Sequence, residues 1–453
     1  MTIRLTHLAR AAAAALGTLA AAAAGAQTGH PPSVGQLIIE FDSAAAETAA
    51  TDGLRQLAAQ YQVQLKGLHK LAVGGQVFKM DRPLADAQAR QLAKAIAKLP
   101  GVSLAEPDLM LKPMAAPNDT LWANQWHYWD PVVGINLEQA WAQGPQGDGV
   151  VVGVLDTGYR PHVDLVANIL PGYDFVTDAD RARDGDGRDP DASDEGDWTR
   201  LFGVIPLDSS WHGTHVAGTV AAVTNNGIGV AGVAPKAKVM PVRVLAKDGG
   251  TYSDIADAIV WAAGGNVPGM TRTKTPARVI NMSLGGSGAC SETMQRAINA
   301  ATRRGALVVV AAGNSSADAS GYNPANCRNV LTIAATGPTG GRASYSNYGA
   351  TIELAAPGGD DGAPVWSTSN TGRKLPEADS YAGGAYYGTS MAAPHVAGVA
   401  ALMLSKNPTL TPRQMGKILV KTVRPFPAPC DQCGSGLLDA NAALAKTPEM
   451  PSR

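Results

Sequence analysis

From about residue 125 onward the chain alternates short, mostly apolar runs with amphipathic stretches. The runs fall at 150–155, 239–245, 279–283, 307–311 and 330–334. A continuous apolar run of this length is what a strand covered on both faces requires. Between the runs, 216–223, 253–263, 292–304 and 412–423 carry apolar residues at helical spacing. Strands alternating with helices predict an α/β fold of three layers, a mostly parallel central sheet with helices on both faces. In such sheets the working residues gather at the carboxyl ends of the strands and in the loops that follow.

Residues 34–115 have a different texture. Strand-like 36–41 is followed by a helical pattern over 44–61, strand-like 65–71 and 76–80, a second helical pattern over 85–99 and a last strand at 102–106. The order βαββαβ predicts a small α+β, ferredoxin-like module. A stretch with two prolines and no periodicity, 111–118, reads as a linker.

At the N-terminus, Arg4, His7 and Arg10 precede an alanine-rich run from Ala11 to Ala24, and Ala24-Gly25-Ala26 fits a small-residue cleavage site. Residues 1–26 therefore read as a secretory signal peptide, too short and too alanine-rich for a membrane anchor. The expected mature protein is exported and soluble, with no stable membrane association. Composition narrows the function further. Among 453 residues only 17% are charged and the net charge is −1, which gives no electrostatic footprint for nucleic acid.

Three stretches carry candidate chemistry. Ser390 sits in Gly388-Thr389-Ser390-Met391-Ala392-Ala393-Pro394, at the mouth of an uncharged run that reaches Leu404. There it is either a helix N-cap or a nucleophile beside unpaired helix N–H groups. Asp156 closes the apolar run 150–155 and begins Asp156-Thr157-Gly158, as a turn former or as an orienting carboxylate. His212 opens a small, apolar helical stretch in His212-Gly213-Thr214-His215, from which its imidazole would project into a cleft. His215 and His395 read as packed core residues, and the glutamate of a helical zinc-protease motif is absent.

These three motifs, in the order Asp, His, Ser, resemble the active-site signatures of the subtilisin-like serine proteases. The resemblance runs from about residue 116 to 444. It includes Asn281-Met282-Ser283-Leu284-Gly285-Gly286 and the ending Gly434-Ser435-Gly436-Leu437-Leu438-Asp439-Ala440. It implies a peptidase domain over 116–447 with a tail at 448–453, and makes 27–115 similar to the family's inhibitory propeptide, cut near Ala115–Ala116. Under that resemblance Ser390 attacks the peptide carbonyl, His212 is its base, and Asp156 fixes the imidazole tautomer. The Asn314 amide and the Ser390 N–H receive the oxyanion. Ser283, Leu284 and Gly285 pair with an extended peptide, and Gly321 lies at the base of the primary pocket. The expected partners are protein or peptide substrates and the chain's own first module, on a monomer of broad specificity. The alternative is a catalytically silent fold used for binding.

Residues 178–197 are dense in aspartate. Asp184-Gly185-Asp186-Gly187-Arg188-Asp189 begins like a calcium loop but places Arg188 at a ligand position and lacks the distal glutamate. The alternatives are a solvated acidic insertion and a calcium site. Crowded hard oxygens and the resemblance favour structural calcium, with Asp184, Asp186, Asp191 and Asp197 as ligands. The chemistry itself needs no cofactor. The four cysteines of an exported chain imply two disulfides, with Cys290–Cys327 and Cys430–Cys433 the expected pairing of three possible ones.

Overall fold

The computed structural model describes residues 33–109, 116–201, 204–382 and 386–450. The stretch expected as a signal peptide, the segment around Ala115 and the last three residues lie outside these. The chain divides into two compact units, 1–113 and 114–453.

In the first unit the strands Ser33–Phe41, Leu65–Lys70, Gln76–Ala85 and Val102–Pro107 and the helices Ala44–Gln60 and Asp86–Ile96 follow in the order βαββαβ. The strand Ser33–Phe41 pairs antiparallel with both Gln76–Ala85 and Val102–Pro107. Leu37, Ile39, Leu54, Leu92 and Ile96 form its own buried core. Ser43 caps the first helix through its hydroxyl.

The second unit is built on a seven-stranded sheet. Its strands lie in the order Leu354–Pro357, Leu331–Thr336, Leu307–Ala311, Val279–Met282, Val151–Asp156, Lys238–Arg243, Tyr173–Asp174, all parallel to their neighbours. Two of these were not signalled by apolar runs. Leu354–Pro357 is short, alanine-rich and ends on a proline, and Tyr173–Asp174 has only two residues at the sheet edge. One core lies between the sheet and the helices His212–Ala221 and Thr389–Lys406, the other under Tyr252–Ala262 and Glu292–Arg303. The three-layer expectation therefore holds.

The helix Thr389–Lys406 is buried continuously from Met391 to Leu404. Small residues let it come close to its neighbours: a Cβ on Gly398 would lie 2.5 Å from that of Val233. Its interior position explains the absence of charge over this stretch.

At the far sheet edge Arg243 is almost fully buried. Its guanidinium donates to Asp174 at 2.6 Å, to Asp184 at 2.7 Å and to the Ala182 carbonyl. Burial outweighs this cation and pushes Asp174 up to about 7. Arg243→Met would strand Asp174 without its partner, at a cost of about 3–5 kcal/mol. We expect faster unfolding in guanidinium, with a larger effect at pH 8, where Asp174 must be charged, than at pH 5, where it takes a proton. An equal effect at both pH values would contradict this account.

Candidate active site

Asp156 is the last residue of the strand Val151–Asp156 and is fully buried. Its Oδ1 accepts the Thr157 N–H at 2.8 Å and pairs with His212 Nδ1 at 2.7 Å. Its Oδ2 has no donor among the described residues. His212 is the first residue of the helix His212–Ala221, and about a fifth of its side chain is exposed, 21%. Burial depresses the imidazolium, but the Asp156 charge and hydrogen bond, with Asp197 and Asp194 further off, outweigh it. The imidazole ends above its ordinary value.

Ser390 is the second residue of the helix Thr389–Lys406, not its cap, because Gly388 occupies that position. Gly388 is in ordinary extended conformation, so its dihedrals do not demand glycine. Proximity does: a Cβ there would come within 3.2 Å of the Asn314 amide nitrogen. Among the described residues no hydrogen bond joins Ser390 Oγ to His212; the hydroxyl instead donates to the Ser283 carbonyl at 3.2 Å. Ser283 Oγ donates back to the Ser390 carbonyl at 2.7 Å. A change of the Ser390 χ1 rotamer is the movement that redirects its hydroxyl.

Asn314 follows Gly313, which takes the left-handed turn (φ 103°) after the strand Leu307–Ala311. Its Oδ1 accepts both the N–H (2.9 Å) and the hydroxyl (2.8 Å) of Thr389. These two bonds assign the amide orientation and leave Nδ2 as the free donor near Gly388. Thr389, which the sequence motif contains but which no reading singled out, thus aims the amide. Tyr386 plays a similar part between the two helices: its ring stacks on His215 at 4.2 Å and its hydroxyl donates to the Ser210 carbonyl.

Ser283, Leu284, Gly285, Ala311, Ala312, Gly313, Asn314 and Ser390 line one pocket of about 370 Å³, with no charged side chain on its wall. A second pocket, about 360 Å³, shares Leu284, Gly285 and Gly286 and adds Leu245, Tyr252, Ile255 and Met294. Gly321 lines neither. It is exposed at the end of the turn Ala319–Gly321, with open space where a Cβ would stand. The neighbouring Tyr322 and Asn323 reach the first pocket instead.

The acidic stretch groups Asp184, Asp186 and Asp189, one oxygen of each lying within 4.8 Å of the others. Asp191 and Asp197, expected as ligands, are not in this group. Asp191 accepts the Ser193 N–H, and Asp197 accepts the N–H and hydroxyl of Ser210. Asp189 takes their place, raised by burial and by the Asp186 and Asp184 charges. Three hard oxygens on one loop suit a calcium ion, whose remaining ligands would come from carbonyls and water. Cys290 bonds to Cys327 and Cys430 to Cys433.

A family model described as the subtilase family matches residues 147–436, well over half of the chain. The chain belongs to the subtilase family. It is 52% identical over 386 residues to the protein named Extracellular protease of Xanthomonas campestris pv. campestris, covering 84% of this chain and 65% of that one. It is 49% identical over 385 residues to Extracellular basic protease of Dichelobacter nodosus, covering 82% and 63%. The chain thus spans slightly less than two thirds of either relative. A solved structure of a protease from Pseudoalteromonas arctica is similar with a TM-score of 0.72 and 55% identity, over 74% of this subtilase and 100% of that chain.

Three other imidazoles of this subtilase show how local the His212 environment is. His215 donates from Nε2 to the Val365 carbonyl, and burial pushes it down to about 3. His395 donates from Nδ1 to the Met391 carbonyl, which makes its Nε2 the acceptor for His127 Nδ1 at 2.8 Å. Burial pushes His395 down to about 4, and His127 also lies well below its ordinary value. In an NMR titration of the Ser390→Ala protein, His212 should titrate above 6.5, while His215 and His395 stay neutral to about pH 3 and 4. A His395 signal titrating near 6.5 would contradict the buried assignment.

Proposed function

We propose that this protein is an exported serine endopeptidase, made as a self-processing zymogen. The observation that carries the reading is the Asp156–His212 hydrogen bond at 2.7 Å, together with Ser390 and the free Asn314 amide on one pocket wall. With Nδ1–H committed to Asp156, the other imidazole nitrogen is the basic one. It takes the Ser390 proton as Oγ attacks the peptide carbonyl, and later returns it to the leaving amine. The negative oxygen of the tetrahedral intermediate receives the Asn314 amide and the Ser390 N–H. Water then repeats the sequence on the acyl-enzyme.

Substrate would lie extended along Ser283, Leu284 and Gly285, placing side chains in the two pockets. The uncharged first wall favours an apolar residue there, whereas the second pocket sets the Asp248 carboxylate beside the apolar Leu245, Tyr252, Ile255 and Met294, with broad specificity otherwise. The extracellular names of the relatives support export through residues 1–26. The first unit is read as the inhibitory propeptide, released near Ala115–Ala116.

The hydroxyl of Ser390 turned to Ser283 is the one feature that suits a silent fold, and Ser390→Ala separates the readings. The variant should lose at least about 10⁴-fold in casein hydrolysis and should retain its first unit in one chain. Undiminished hydrolysis or self-cleavage would remove Ser390 from the mechanism.

We read the Asp184, Asp186 and Asp189 group as a structural calcium site that stabilises the loop and takes no part in the reaction. Chelation should then lower the thermal midpoint by about 5 °C, as expected for an ion present near a hundred times its dissociation constant. Asp186→Asn should abolish that response. A midpoint indifferent to complete calcium removal would eliminate the site.

A further inference from the structure

The helix that begins at His212 has no cap of its own. Trp211 precedes it in the left-handed region (φ 50°), held there by its indole N–H on the Gly372 carbonyl at 2.6 Å, and its side chain caps nothing. The first N–H groups of such a helix need acceptors from elsewhere. The Gly213 N–H finds one in Thr157 Oγ1, at 3.0 Å. Thr157 adjoins Asp156, so this bond ties the Asp156 loop to the helix that presents His212.

A threonine hydroxyl both donates and accepts, and its partner decides which way it turns. Here the proton goes to Asp194 Oδ2, at 2.6 Å. With the proton so committed, a lone pair is left for Gly213. Asp194 is nearly inaccessible, 1% exposed. Its Oδ1 accepts the Gly196 N–H at 2.9 Å, its own N–H goes to the Tyr159 carbonyl at 2.9 Å, and its carbonyl accepts Arg160 at 3.1 Å. Asp194 is therefore fastened to the loop 157–160 by its side chain at Thr157 and by its backbone at Tyr159 and Arg160. The helix mouth rests on that loop without slack, since a Cβ on Gly213 would lie 2.1 Å from the Gly158 carbonyl oxygen. Asp194 lies outside the Asp184, Asp186 and Asp189 group. Burial, its largest influence, pushes it up to about 7. A carboxylate placed so unfavourably adds little stability; what it supplies is direction.

We propose that Asp194 is a positioning residue for His212: by fixing the Thr157 hydroxyl as acceptor for Gly213, it keeps the imidazole seated on Asp156. The inference rests on the serine-protease reading and adds to it a residue that touches neither substrate nor reacting atoms. The relay runs Asp194, Thr157, Gly213, His212, and each link before the last is a single hydrogen bond.

The test is turnover of a peptide substrate per active site, titrated with a serine-directed covalent reagent. Thr157→Val should lower kcat about 10- to 100-fold with KM within twofold, the scale of a small misplacement of a catalytic group. Thr157→Ser should recover most of the loss. Asp194→Ala should fall similarly, and the double variant should be no slower than Thr157→Val, because both act through one path. Losses that multiply in the double variant, or kcat within twofold of the parent in either single variant, would overturn the proposal. If Asp194→Ala does not accumulate as folded enzyme, the Thr157 pair decides: loss with valine and recovery with serine supports the relay, and parental turnover with valine refutes it. A parent enzyme that the reagent fails to label would instead refute the serine-protease reading itself.

Discussion

The bond between Asp156 and His212 makes conflicting demands that the rest of the second unit is arranged to satisfy. The carboxylate must be away from water for its charge to act strongly on the imidazole, and the imidazole must still reach a cleft. A parallel sheet meets both demands at once. The interior strand Val151–Asp156 carries Asp156 to the carboxyl edge, where the residue is fully buried yet ends at the loop crevice. The helix after that loop then starts, rather than passes, at His212. A helix start leaves the side chain with few neighbours on one side, hence its partial exposure. The same logic places Asn314 after the strand Leu307–Ala311 and Ser283 after Val279–Met282. Three neighbouring strands thus deliver three polar groups to one edge, and His212 and Ser390 arrive on helices.

The delivery works because the helix Thr389–Lys406 lies close beneath that edge. Alanines and Gly398 set the separation, and the contact of Gly398 with Val233 shows how little room remains. At its start Gly388 lies against the Asn314 amide, where an added Cβ would stand 3.2 Å away, and Thr389 holds that amide by two bonds. Packing density and polar geometry are therefore one constraint here. A larger residue at Gly388 would push on the Asn314 amide before it disturbed the core.

The sequence made the outline of this unit legible and left the detail to contacts between distant segments. Apolar runs located five of the seven strands, since burial on both faces leaves no polar alternation. They missed Leu354–Pro357, where alanine packs well but signals nothing, and Tyr173–Asp174, which pairs only at the edge. Motif order brought Asp156, His212 and Ser390 forward, while the steric place of Gly388 depends on its approach to the Asn314 amide of a distant segment. Gly321 is exposed with open space at its Cβ position, next to Tyr322 and Asn323 on the pocket wall, a placement that spacing from Asn314 alone does not give. The acidic stretch was visible as composition, but which aspartates group depends on how the loop folds. Ser210 engages Asp197 from across a thirteen-residue excursion that contains a small hairpin, a pairing no local pattern encodes.

The buried titratable groups near the site show why residue type alone could not assign roles. His212 and His215 share one helix, three positions apart, and shift in opposite directions. Both suffer desolvation; only His212 has a carboxylate in contact, and that single partner reverses the sign. Asp156 and Asp194 form a parallel contrast. Both are buried carboxylates beside the same loop, but Asp156 faces an imidazole that can carry positive charge, whereas the Asp194 carboxylate accepts, among the described residues, from a hydroxyl and a backbone amide, Arg160 reaching only its backbone carbonyl. The first is equipped to respond to charge formed during a reaction. The second carboxylate has no charged partner in direct contact among the described residues, and its two neutral bonds instead fix the direction of a hydroxyl. One acidic residue thus governs where the proton sits and the other where the imidazole sits, a division that follows from their partners rather than from their chemistry.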